Sequence, residues 1–549
     1  MSEVTAGHAV VRTLAAHGIN TVFSVPGESF LEVLDGLCDS SINNVVCRHE
    51  GGASYAAEAT GKLGTLPGIA MVTRGPGAAN AMVGIHAAYQ DATAMILFIG
   101  LIPIADRGRE SFQEFDIQAW FGSTTKAVFV LEEAKQASAI VAKAISISQS
   151  GRPGPVVVGL PEDVLRDPAG ESISPPIPAA LDSLADDVIT ELSARLNDAE
   201  RPLFVLGGSS WTQMGCQELR SWLEMHNIPA AVEWRGEGLI DSDSSSYVGS
   251  LGYGRSDSVA RALDQADLVV VVGTVLGDVN TDGYTLRQDP AQTTVVINAD
   301  RELLGHGAAV SAHVPLNPST FVECLDRLNV TLSNARSSWF MSLRQAYLDD
   351  AVRTPPPSRV GRVSMTRAMT ALSTELNDNA GVKKIALALG AGNHTAWAAP
   401  FFDTHHYGSL LSVRNGSMGY SIPAALAVGL ADPECQAVAI CGDGEFMMNA
   451  NELATVAQQG LSPLIIVMDN GQFGTIRSHQ EQWHPGRVSG TQIVNPRFTR
   501  YVEAVNGLGF EVNDDDQLSE VIPVAVDYVA RNRGPVLIHL IVDSDVLLP

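Results

Sequence analysis

The stretch from residue 436 to 473 constrains this chain most, because it reads as two buried parallel strands whose ends carry metal-binding groups. Residues 436–441 form an apolar run of strand length. The run stops at Gly442-Asp443-Gly444-Glu445-Phe446, where glycine lets the backbone turn tightly beside a carboxylate. A helical pattern follows through Met448, Leu453 and Val456. A second apolar run, 464–468, then ends at Asp469-Asn470-Gly471-Gln472-Phe473. Neighbouring strands of a parallel sheet present their C-terminal ends on one edge, which would bring Asp443 and Asn470 together. A carboxylate, an amide oxygen and a backbone carbonyl near Gln472 make an oxygen-rich, incomplete cage that suits Mg²⁺, with water and phosphate as the remaining ligands. The helix start after Gly444 would offer N–H groups to the same phosphate. From topology alone, an ordinary strand–helix–strand unit with a polar turn accounts for the pattern equally well.

Charge narrows the partners of such a site. Lys and Arg number 35 against 61 Asp and Glu, a formal net charge of −26. That field repels nucleic acid and an anionic membrane face, so an anionic substrate has to be drawn in by local groups. Six cysteines are scattered without CxxC spacing, most beside apolar neighbours, which reads as buried free thiols in a reducing compartment. Glu3, His8 and Arg12 precede any long apolar run, so no signal-peptide pattern is expected. The longest apolar stretch, 94–105, is broken by Gly100 and Pro103 and is too short to span a bilayer. The expectation is a soluble, cytoplasmic protein without membrane or nucleic-acid partners.

The rest of the chain alternates regularly. Residues 4–16, 30–37, 52–63 and 78–89 read as helices, and 21–25, 44–47, 69–73, 94–99 and 156–160 as strands. This is the pattern of a mainly parallel sheet with helices on both faces. Three strand ends carry unusual turns: Pro26-Gly27-Glu28-Ser29, Arg48-His49-Glu50-Gly51, and Thr73-Arg74-Gly75-Pro76-Gly77-Ala78-Ala79-Asn80. Taken alone, Glu50 is also what a helix dipole favours in a first turn. A Pro, Ser and Ala-rich linker (166–185) leads to a second α/β unit with strands at 203–206, 230–233, 268–272 and 295–297. A second linker, 351–362, holds Pro355-Pro356-Pro357. The expected fold is α/β, with three doubly wound parallel-sheet domains at 1–165, 186–345 and 363–549.

Gly442-Asp443-Gly444, followed by Asn451-Glu452-Leu453-Ala454-Thr455 and an Asn closing the next strand, resembles the diphosphate motif of thiamine-diphosphate enzymes. The usual Asn-Asn ending is Asp469-Asn470 here, which keeps the second Asn. Arg48-His49-Glu50-Gly51-Gly52-Ala53 with Gly75-Pro76-Gly77-Ala78-Ala79-Asn80 resembles the pyrimidine-binding domain of that family, in its acetolactate synthase-like branch, beside the benzoylformate decarboxylase-like enzymes. The resemblance implies that Glu50 hydrogen-bonds N1′ of the aminopyrimidine and favours the imino tautomer that forms the ylide. A carboxyl buried there would have its pKa raised. It implies Mg²⁺ ligation by Asp443, Asn470 and Gln472. Cofactor contacts are expected from Pro26, Gly27, Asn80, Asn393, His394, Gly416, Met418, Gly442, Gly444, Glu445, Gly474, Thr475 and Ile476, with Met418 as the wedge under the cofactor. Glu28, Gln113 and His479 are the substrate-side candidates. Lys126 matches a basic position near the substrate channel or is a solvated lysine, and Arg477 and His479 would face a substrate carboxylate or solvent.

In acetolactate synthases the central domain binds FAD, and Gly207-Gly208-Ser209 and Leu251-Gly252-Tyr253-Gly254 echo parts of that site. The loop from Gly273 to Thr281 lacks the family's arginines and Tyr253-Gly254 lacks the following His-Gly, so no FAD is expected; a GxGxxG fingerprint is also absent after Leu206. The implied function is decarboxylation of a 2-keto acid through the ylide and enamine. Phe112-Gln113 favours carboligation, while Glu28 keeps simple decarboxylation open, and a non-catalytic homologue is the rival of another class. The family's sites lie between subunits, which implies a homodimer or homotetramer.

Overall fold

The computed structural model describes residues 4–177, 183–302, 310–351 and 359–546. Within them the alternation resolves into three parallel six-stranded sheets. The first holds β1 (Thr21–Ser24), β2 (Asn43–Val46), β3 (Gly68–Val72), β4 (Met95–Leu101), β5 (Ala127–Val130) and β6 (Pro155–Pro161), in the order β2-β1-β3-β4-β6-β5. The second holds β7 (Pro202–Leu206), β8 (Ala230–Val232), β9 (Tyr247–Ser250), β10 (Leu268–Val272), β11 (Thr293–Ile297) and β12 (Ala312–Val314), in the order β12-β11-β10-β7-β8-β9. The third holds β13 (Lys384–Leu389), β14 (Leu410–Leu411), β15 (Cys435–Gly442), β16 (Leu464–Asp469), β17 (Leu508–Val512) and β18 (Val536–Ile541), in the order β14-β13-β15-β16-β18-β17. Both linker segments lie partly outside the described residues.

Central strands such as β3, β4, β6, β7 and β10 are buried along their whole length, because helices cover both faces of a parallel sheet. Two helices join the first sheet to the third. Glu50–Leu63 buries Gly51, Gly52, Ala53, Ala56, Ala57 and Ala59, and Ser421–Ala431 buries Ser421, Ala424, Ala425 and Ala427 beside Ile422, Leu426 and Val428. Small side chains let the helices approach closely, and a single apolar core runs from Phe23 and Val45 through both of them to Val467 and Leu537. The central sheet keeps separate cores on its two faces.

A buried polar group locks the same junction. Lys62 Nζ lies 3.0 Å from Glu58 and 2.6 Å from Asp91, and Tyr420 donates its hydroxyl to Glu58 at 2.6 Å. Burial raises the pKa of Glu58; it penalises the Lys62 ammonium too, but Asp91 and Glu58 more than reverse that. Lys126 departs from its sequence expectation. It precedes β5, at the sheet edge opposite the strand ends that carry Glu50, and it donates to the carbonyls of Ile147 and Ser150 at the end of the helix Ala137–Gln149. Burial lowers its pKa to about 8. Its role is a helix cap, not a channel cation. No helix among the described residues is long and apolar enough to cross a membrane.

Candidate active site

β15 and β16 are neighbours, with Gly442 opposite Met468, so Asp443 and Asn470 emerge side by side at the sheet's C-terminal edge. Asp443 is buried, and its Oδ2 accepts the Gly471 N–H at 3.0 Å and the Asn495 amide at 2.6 Å. Burial, with Asp469 close by, pushes its pKa up to about 6. A cation at this carboxylate would offset that cost. Asp469, which stands where the family has Asn, turns the other way. Its Oδ2 lies 2.8 Å from His539 Nε2 on β18, and its Oδ1 accepts the Asn495 amide at 2.8 Å. Burial disfavours this carboxylate, but the bonds from His539 and Asn495 outweigh it and hold its pKa down.

Asn470 Oδ1 accepts the Gln472 N–H at 3.2 Å, an Asx turn that fixes the loop. The Gln472 side chain is spent on the Ser544 carbonyl (2.6 Å) and on Arg477 (2.9 Å). What it leaves free for a cation is its backbone carbonyl. Arg477 also reaches Asp545 at 3.2 Å, so this guanidinium ties down the C-terminal segment and is not free for a substrate carboxylate.

These residues open on a cavity of about 250 Å³, whose wall includes Asp443, Asn470, Asn393, Met418, Thr475 and Ile476. Thr475 donates its hydroxyl to Asn393 Oδ1 at 2.6 Å, and the Asn393 Nδ2 group is buried without an acceptor. An orphaned donor in this wall fits a phosphate oxygen. The first turn of the helix Gly474–Trp483 lines the same wall with Gly474, Thr475 and Ile476 and adds its free N–H groups. His394 Nε2 and Glu445 Oε2, both buried, lie 3.1 Å apart but out of line for a hydrogen bond. Glu445 Oε1 accepts from Ser421 at 2.9 Å.

The segment carrying Gly416 and Met418 is fixed at both ends. The Arg414 N–H donates to Asp91 at 2.9 Å, and Asn449 donates to the Gly419 carbonyl at 2.7 Å. Gly416 takes a φ of 67°, the left-handed region that glycine tolerates. The donor set, the acid and the exposed Gly416 backbone fit a diphosphate-bearing cofactor with its divalent ion.

The remaining candidates lie on the first sheet's edge. Glu50 opens its helix, and Asn80 donates to it at 2.9 Å. Pro26 and Gly27 follow β1, with Gly27 packed against Thr73. Glu28 is held by Arg74 at 3.2 Å with its side chain 67% exposed. Gln113 sits over Gly75 with a φ of 63°, strained for a non-glycine residue. With Arg74, Phe115, Ile102 and Val130 it lines a second cavity, of about 210 Å³. Every residue lining the larger cavity falls between 365 and 546. The larger cavity therefore draws on the third unit and the smaller on the first. The cavity wall takes only the first turn of the helix Gly474–Trp483, and His479 lies a turn beyond it. Sequence reasoning missed Asn495, His539 and Asn449, whose partners lie 26 to 70 residues away.

Comparison with known proteins matches three models of one family, in chain order. They are "Thiamine pyrophosphate enzyme, N-terminal TPP binding domain" over residues 4–120, "central domain" over 189–325, and "C-terminal TPP binding domain" over 390–540. Among curated relatives, the acetolactate synthase isozyme 2 large subunit of Escherichia coli (strain K12) is 29% identical over 97% of this chain and 95% of its own. An acetolactate synthase of Mycobacterium bovis is 28% identical over 99% and 89%. The mitochondrial acetolactate synthase catalytic subunit of Saccharomyces cerevisiae is 27% identical over 99% and 81%.

Proposed function

The chain belongs to the thiamine pyrophosphate enzyme family, and from that premise we propose that it decarboxylates a 2-keto acid and joins the remaining fragment to a second carbonyl compound. The enzyme is of the acetolactate synthase type. The observation that carries the reading is the cavity where Asp443, Asn470 and the orphaned amide of Asn393 converge beside Met418. The chemistry the cofactor supplies when bound is a carbon nucleophile that also takes up the electron pair left by departing CO₂.

The protein supplies position and charge. Asp443, the Asn470 amide oxygen and the Gln472 carbonyl would hold Mg²⁺; Asn393 and the first turn of Gly474–Trp483 would donate to phosphate. Met418, fixed through Asp91 and Asn449, would support the cofactor ring from below. Glu50, held by Asn80, would come from a second copy of the chain and hold a proton at the pyrimidine N1′. The active unit is then at least a homodimer.

The fate of the fragment depends on the first-sheet edge. Strained Gln113 and Phe112, whose ring is 73% exposed, project from the loop that would meet the substrate, and this favours capture by a second carbonyl. Glu28, held by Arg74 on the same edge, favours the second reading, protonation to an aldehyde. Product analysis separates them. With Mg²⁺ and thiamine diphosphate, and with pyruvate, 2-ketobutyrate, branched 2-keto acids and benzoylformate offered with and without an aldehyde acceptor, the expected products are acyloins or 2-hydroxy-2-alkyl keto acids. Acetaldehyde from pyruvate, without acetolactate or acetoin, would refute the carboligase reading.

A further inference from the structure

The central sheet has the layout that binds nucleotides in doubly wound proteins. The chain runs outward from β7 to β8 and β9, then returns to β10 on the other side of β7. That reversal opens a crevice at the C-terminal ends of β7 and β10, where a diphosphate would rest on the first strand–helix turn. The crevice opens on the cavity of about 310 Å³ shared by the three units.

Its anion slot is taken by the chain itself. Glu233, directly after β8, is 2% exposed. Its Oε1 accepts the Gly208 N–H at 2.5 Å, and its Oε2 accepts the Thr274 hydroxyl at 2.5 Å and lies 3.2 Å from Arg414. The carboxylate thus spans the turn after β7 and the turn after β10, across the switch point. The neighbouring donors are also spent. The Gly207 N–H goes to Val272, the Gly273 N–H to Ile297, and the Gly215 N–H at the following helix start to Thr212 Oγ1. The two turns touch as well, because a Cβ at Gly208 would run into the Gly273 carbonyl oxygen.

The cations around the cavity are matched within the protein. Lys62 faces Glu58 and Asp91, and Arg414 faces Glu233. Arg235 stacks on Trp234 at 4.3 Å and donates to the Gly390 carbonyl, with Glu237 as the nearby acid. Its Nε–H and Glu237 Oε2 stay without hydrogen-bond partners, and the wall carries three cations, Lys62, Arg235 and Arg414, against three acids, Asp91, Glu233 and Glu237.

We infer that Glu233 is a built-in anion that occupies the diphosphate position of the central crevice, so that this unit excludes FAD and other nucleotide diphosphates. Through Arg414 the same carboxylate ties the central sheet to the segment carrying Gly416 and Met418.

The test uses the full-length protein with Mg²⁺ and thiamine diphosphate, titrated with FAD and with ADP, and reads flavin fluorescence, equilibrium dialysis and melting temperature. The wild type should show no saturable binding tighter than about 1 mM and no ligand-dependent shift in melting temperature. Glu233→Ala, or Glu233→Ser if the alanine variant does not fold, removes the carboxylate. ADP should then bind saturably and raise that variant's melting temperature. One-to-one binding of FAD or ADP by the wild type would overturn the inference. So would a folded variant that remains indifferent to ADP.

Discussion

At the scale of single residues, the site is set by which way two adjacent acids turn. Asp443 faces the cavity and Asp469 faces His539, with Asn495 bridging them at 2.6 and 2.8 Å. Burial makes Asp443 a costly carboxylate, with its pKa raised from 3.8 to about 6. Because the folded pKa lies above the unfolded one, the folded state binds more protons between these values. Its contribution to stability is fully present below pH 3.8 and is lost as pH rises through 6. The metal-free protein is thus destabilised at neutral pH by the group that would hold the metal. Asp443→Asn should leave the metal-free protein at pH 7.5 at least as stable as wild type in thermal unfolding, and should abolish the stabilisation that Mg²⁺ with thiamine diphosphate gives. A variant still stabilised by both ligands would show that Asp443 does not hold the ion.

At the scale of elements, the helix Glu50–Leu63 owes its placement to a residue in the other terminal unit. Glu452, fully buried, accepts the N–H groups of Arg48 (3.0 Å) and His49 (3.0 Å), the two residues that lead into Glu50. Gly52 leaves room for this carboxylate, since a Cβ there would strike it. Glu452→Ala would remove the acceptor of two part-buried donors and should cost about 1–3 kcal/mol in urea unfolding. Glu452→Gln keeps an acceptor and should cost less; equal losses in the two variants would contradict this account.

That contact also marks the limit of what the sequence discloses. Buried strands were legible because a parallel sheet covered on both faces needs continuous apolar runs, as at β10 and β16. The edge strands β5 and β14 were not, because β5 is half-exposed throughout and β14 is two residues long. The Asp443–Asn470 pair was legible because adjacent strands and a short loop bring it together. The Glu452 acceptor was not, since its partners lie about 400 residues away and only the packed fold brings them close.

At the scale of the molecule, the expected site residues of one chain fall in two of its units. The cavity with Asp443 and Met418 is walled by residues 365–546 alone, while Glu50, Asn80 and Glu28 stand on the first sheet's edge. A net charge of −26 makes like chains repel one another, so any pairing would need a specific surface and not a general attraction. If Glu50 serves the cavity of a second chain, defects in the two halves must complement each other. The deciding measurement mixes inactive Glu50→Gln protein with inactive Asp443→Asn protein, dissociates and reassembles them, and assays turnover of 2-keto acid. Random pairing makes half of the dimers mixed, each with one intact site, so activity should return to about a quarter of wild type. A reassembled mixture as inactive as its parents would place Glu50 and Asp443 in the same chain's site and contradict the shared-site account.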